Sequence, residues 1–114
     1  MKLENKLFLA ENGQYLLGPG RMALLRATLE LGSLYKAAQS LGMSYRWAWG
    51  RMRDSEKALG RALLTQDGPG RGRRKVLTPE AHELLIWYTS LEKSLDAVMT
   101  LAVDRAPAFL NLER

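Results

Sequence analysis

The chain has 114 residues, 46% of them hydrophobic and 25% charged, the balance of one ordinary folded domain rather than a disordered or membrane-embedded chain. It has no cysteine and one histidine, His82, which excludes disulfides, iron–sulfur clusters, thiolate zinc sites, thiol nucleophiles and histidine pairs. The formal net charge is +5, but Ser33 to Lys75 holds ten basic residues against three acidic ones, a local net of +7 that suggests a polyanion-binding surface.

The first element is a predicted hairpin. Lys6–Ala10 and Gln14–Leu17 flank Glu11-Asn12-Gly13, and Asn-Gly between apolar runs favours a tight turn because both residues tolerate positive φ. Gly18-Pro19-Gly20 breaks the strand. A helix is expected over Arg21–Leu31, with Met22, Leu25 and Leu29 on one face and Gly32 closing it. Ser33 is an N-cap for a short helix over Leu34–Leu41, whose apolar face is Leu34, Ala37, Ala38 and Leu41. Ser44 caps a longer helix over Tyr45–Leu59, stopped by Gly60. Two helices joined through a short glycine-containing turn, the second one basic, form a helix-turn-helix candidate.

Two short strands follow, Leu63–Asp67 and Val76–Thr78, around a tip rich in glycine and arginine. Thr78-Pro79-Glu80 then opens a last helix reaching about Arg105, with Thr as N-cap and Pro at its first position. At 1.5 Å per residue it is roughly 42 Å long. Leu84, Tyr88, Leu91, Leu95, Val98 and Ala102 step by four and three along it, an a/d seam that predicts dimerisation. The expected architecture is mainly α with small β-hairpins. Residues 1–78 form a winged helix-turn-helix with an N-terminal hairpin, 79–106 the long dimerisation helix and 107–114 a tail.

On the wheel of the 45–59 helix, Ala48, Met52, Ser55 and Leu59 gather on the side assigned to the core. Arg46, Gly50, Arg53 and Lys57 lie opposite, and Trp47 and Trp49 flank the two sides. That division suits a recognition helix entering a major groove about 12 Å wide. Arg46 is expected at a base edge, Arg53 or Lys57 at phosphate, and the Ser44 and Tyr45 hydroxyls at the tip. Gly50 costs about 1 kcal/mol relative to Ala in mid-helix, a cost that close approach to a DNA backbone explains. Trp47 counts among the candidate contacts, whereas Trp49 is expected to pack inside the protein. In the wing, Arg71, Arg73, Arg74 and Lys75 are expected to follow a phosphate backbone or an adjacent minor groove.

Gly20-Arg21, Leu24-Leu25, Leu31-Gly32-Ser33, Ala37-Ala38, Leu41-Gly42-Met43-Ser44-Tyr45-Arg46, Ala48-Trp49, Leu59-Gly60 and Leu77-Thr78 together resemble the N-terminal DNA-binding domain of the molybdate-responsive ModE regulators. The wider pattern is that of the LysR-type winged helix-turn-helix. The resemblance implies a prokaryotic transcription regulator that is dimeric through its long helix. The family's C-terminal molybdate-binding modules have no counterpart in these residues, so ligand sensing would fall to a separate effector-binding protein. The tip is arginine-rich where the family is glycine-rich, and Ala81 stands where the family often has Gly.

The partners expected are therefore double-stranded DNA and a second copy of the chain. No apolar run approaches the roughly 20 residues of a membrane span, and the start lacks the apolar stretch of a signal peptide, so a cytoplasmic location without a membrane partner is expected. The competing reading is a winged-helix protein-interaction module without a specific operator. No cofactor or metal is expected, and no enzyme. Asp54 with Glu56, and Glu80 with Glu83, are spaced like solvated surface pairs, and His82 is expected on the surface.

Overall fold

The computed structural model describes residues 1–69 and 74–113. Asn12 and Gly13 both take positive φ, 50° and 78°, and turn the chain between β1 (Leu9–Glu11) and β2 (Gln14–Leu17). The expected first strand begins three residues late. The register shifts between Leu9 and Ala10, and the Leu7 carbonyl accepts a side-chain hydrogen bond from Tyr88 instead of a ladder bond.

α1 runs over Pro19–Leu31 and so starts two residues earlier than expected. Proline at the first helical position has its φ preset and no N–H to leave unpaired, so it starts the helix rather than delaying it. Gly32 closes α1 in the left-handed region, its N–H donating to Thr28 O at 2.9 Å. Ser33 Oγ caps α2 (Leu34–Ser40) by accepting from the Lys36 N–H. Ser44 Oγ caps α3 (Tyr45–Leu59) by accepting from the Trp47 N–H. Gly60 ends α3 at φ 68°.

β3 (Leu64–Gln66) pairs antiparallel with β4 (Lys75–Leu77) to form the wing. Thr78 then serves two elements. Its hydroxyl donates to Ala62 O and accepts from the Ala81 N–H at the start of α4 (Pro79–Asp104). A single 3-10 turn, Ala108–Leu110, follows.

The core is where α1, α2 and α3 meet the wing and the first turns of α4. Leu17, Met22, Leu25, Leu34, Met52 and Leu63 lie at its centre. Leu24 is buried there as well, whereas Leu29 and Leu41, periodic with the core faces, are exposed. Both stand at the last turn of their helix or just beyond it, past the edge of the packed layer. Arg26 fastens α1 to α4, donating to Thr89 Oγ1 and pairing with Glu92 at 2.9 Å. Among the described residues, no helix is long and apolar enough to cross a membrane.

Candidate nucleic-acid interface

The second helix of the helix-turn-helix is fixed by what it buries. Ala48, Met52 and Ser55 are each wholly inaccessible, and Leu59 packs partly against the same core. Ser55 is a polar node within that stripe. Its hydroxyl donates to Leu16 O at 2.7 Å and accepts from Arg21 Nη1 at 2.8 Å, which joins α3, β2 and α1. A buried hydroxyl with both roles satisfied carries no desolvation penalty.

The opposite face is cationic and open. Arg46, Arg53 and Lys57 are exposed and make no ion pair among the described residues. Gly50 sits between them, and a Cβ there would meet nothing within 4 Å. The protein's own packing therefore does not require glycine at this position. At the helix tip Ser44 and Tyr45 are exposed, and the Tyr45 ring lies 6.1 Å from that of Tyr35 on α2.

Both flanking tryptophans reach the surface, so Trp49 is not an interior residue as expected. Trp47 is 57% and Trp49 37% exposed. Each lies under an arginine one turn on: Arg51 is 4.5 Å from the Trp47 centroid and Arg53 is 4.9 Å from that of Trp49. The i, i+4 spacing of Trp47 with Arg51 and Trp49 with Arg53 is the signal that marks these stacks in the sequence. Arg51 also pairs with Asp54 at 3.2 Å.

The wing is held at its base by a residue read from sequence as a solvated acid. The Glu56 carboxylate accepts from the Leu63 N–H at 2.8 Å and the Leu64 N–H at 3.1 Å. It thereby fixes the wing's angle to α3. Arg74 is committed to Asp67 across the strand ends, which leaves it less free for phosphate. Lys75 lies in β4, half-buried. Arg71 and Arg73 lie outside the described residues.

On α4 the structure rotates the apolar seam. Tyr88 is 2% exposed and belongs to the domain's own core, its hydroxyl donating to Leu7 O at 2.7 Å. Burial and the nearby Glu92 carboxylate hold its phenol above the usual range. It is not available to a partner helix. Leu84 packs partly against the same core. Leu91 and Leu95 are half-buried, while Val98 and Ala102 are exposed. One series of accessible apolar residues steps four and three residues apart through Trp87, Leu91, Val98 and Leu101, with Ser94 in the series, while Ile86, 69% exposed, lies off it.

A family profile described as "Bacterial regulatory helix-turn-helix protein, lysR family" matches residues 20–82, more than half the chain. The molybdenum-pterin-binding protein MopB of Rhodobacter capsulatus is 31% identical over 85 residues, which cover 74% of this chain and 32% of that protein. The transcriptional regulator ModE of Haemophilus influenzae is 29% identical over 107 residues, covering 93% of this chain and 39% of its own length. The chain thus spans about a third of the length of these relatives. Among solved structures, the CbnR DNA-binding domain in complex with DNA superposes with a TM-score of 0.61 at 22% identity, over 77% of this chain and 97% of that one. The BenM DNA-binding domain bound to benA site 1 DNA gives 0.58 at 25% identity, over 76% and 96%. Likeness at this level establishes a winged helix-turn-helix fold with a long C-terminal helix.

Proposed function

Because the chain belongs to the LysR family of bacterial regulatory helix-turn-helix proteins, we propose that it is a sequence-specific reader of double-stranded DNA that binds as a homodimer in the cytoplasm. The observation that carries this is the exposed, unpaired cationic face of α3, set opposite a fully buried stripe. α3 enters the major groove, with Arg46 at a base edge and Arg53 and Lys57 on phosphate. Ser44, Tyr45 and Trp47 contact the DNA from the helix tip and near flank, and Gly50 lets the backbone come close. The wing, with Lys75 and the arginines of its tip, lies along the adjacent backbone or minor groove. The ModE relative, named a transcriptional regulator, and the BenM complex with its DNA site both support this reading. The dimer forms through α4, along the accessible face of Trp87, Leu91, Val98 and Leu101.

The test is selection of bound duplexes from a random pool by the purified chain at about 150 mM salt, where surface charge attraction is screened beyond roughly 8 Å. Enrichment of a two-fold symmetric sequence is the expected result. Binding that survives only at low salt and enriches nothing would instead favour a protein-interaction module.

A further inference from the structure

A cleft of about 290 Å³ lies between the first turn of α1 and the N-terminal half of α3, lined by Tyr15, Gly20, Arg21, Met43, Trp47 and Arg51 among others. Two guanidinium groups border it, and they are not equivalent. Arg21 is spent on the fold: it reaches Ser55 Oγ and Leu16 O and lies 4.3 Å from the Tyr15 centroid. Arg51 is not. Its face rests on Trp47 and one Nη meets Asp54, which leaves the other Nη uncommitted among the described residues. Its Nε is buried and has no acceptor among the described residues. The fold therefore holds the guanidinium in this pose at the cost of one unmade hydrogen bond.

A helix about 10–12 Å across fills a groove about 12 Å wide, so its flanks meet the two sugar–phosphate backbones. Trp47 and Arg51 form one such flank, next to the groove-facing Gly50. We propose that this cleft is a phosphate clamp, in which the exposed part of the Arg51 guanidinium, whose side chain is 40% accessible, donates to a backbone phosphate beside the bases that α3 reads. The proposal rests on the DNA-reading function above. Trp47 then acts as a platform that holds the guanidinium plane, and Asp54 holds its far edge. The planar fork suits a phosphate oxygen better than an ammonium would, since the stack on Trp47 fixes the direction of its donors.

The test follows binding to the selected duplex against salt concentration. Arg51→Gln is expected to lower the slope of log K against log salt by about 1.8, the contribution of one phosphate from each protomer of the dimer on duplex DNA, with equal weakening on matched and mismatched sites. An unchanged slope in a variant that melts like the parent overturns the clamp. Should Arg51→Gln fail to fold, a second measurement needs no change at Arg51. The chain has no cysteine, and a Cβ at Gly20 would meet nothing within 4 Å, so Gly20→Cys can carry an iron–EDTA label at the cleft. Backbone cleavage flanking the bases read by α3 supports the clamp. Binding of the labelled protein without cleavage there overturns it while leaving the reader intact, whereas an unmodified chain that binds no duplex overturns both.

Discussion

Tyr88 ties the long helix to the N-terminal segment through one hydrogen bond, from its hydroxyl to the Leu7 carbonyl. Tyr88→Phe leaves that carbonyl without its partner, and a loss of about 0.5–1.5 kcal/mol is expected at neutral pH. The sign of the pH effect follows from the raised phenol pKa. The neutral form is favoured in the folded chain, so its contribution is complete below about pH 10, the ordinary tyrosine value, and is lost as pH rises through the folded value. Urea unfolding followed from pH 8 upward, with about pH 10 as the turning point, should show a steeper alkaline decline in the parent than in Tyr88→Phe. Gly50 separates stability from function in a different way. With no neighbour for its Cβ, Gly50→Ala is expected to stabilise the helix by roughly 0.5–1 kcal/mol. The same methyl group should weaken DNA binding if the helix backbone comes as close to the duplex as proposed. A higher melting temperature with unchanged affinity would remove Gly50 from the interface. The face of α3 to which Gly50 belongs is readable from the wheel alone, because Arg46, Gly50, Arg53 and Lys57 oppose a stripe of small and apolar residues. The stacks on its flanks are harder to read. Tryptophan is mostly apolar and its burial depends on what lies above it, which here is an arginine of the same helix.

At the level of elements, the boundaries of α2, α3 and α4 are legible because their caps are local chemistry. Ser33, Ser44 and Thr78 each accept from the N–H three residues on, and Gly32 and Gly60 take the left-handed conformation that ends a helix. What the periodicity could not settle was the phase of α4. Leu84, Tyr88 and Leu95 on one side, and Trp87, Leu91, Val98 and Leu101 on the other, make two overlapping apolar stripes, and only tertiary packing decides which of them the domain covers. Glu56 was hidden for the same reason, since its partners are backbone amides beyond the Gly60 turn. Glu56→Ala removes the acceptor of two amides, and a local cost of about 1–3 kcal/mol is expected. Hydrogen exchange should read it as faster exchange at Leu63 and Leu64, with the amides in the middle of α3 unchanged. Equal acceleration across α3 would mean that Glu56 supports the helix rather than the wing.

The whole molecule is too long for one compact domain. Its radius of gyration is 17.1 Å and its longest extent 61 Å, whereas a compact chain of this size has a radius near 13 Å. The excess comes from α4, which buries no residue after Tyr88. The N-terminal segment lies against its far half, where Asn5 Nδ2 donates to Met99 Sδ, and reaches the tail beyond it, where the Met1 carbonyl accepts from the Glu113 N–H. Val98 and Leu101, 62% and 57% exposed, leave an apolar surface whose burial contributes about 25 cal/mol per Å². A second copy would cover it and set two α3 helices on one duplex, about 34 Å apart for half-sites one turn apart. Dimerisation and DNA reading are then coupled, because the second half-site is bound at the effective concentration set by the first. Val98→Glu places a charge in the middle of that surface without touching the core. The variant is expected to melt close to the parent temperature but to sediment as a monomer. Its salt slope should fall to about half, since half as many phosphates are neutralised per binding event, and selection should enrich a single half-site in place of the symmetric pair. A Val98→Glu protein that remains dimeric would move the interface off this face of α4. A monomer with the full slope and a symmetric site would mean that the two copies cooperate through the DNA instead of through the helix.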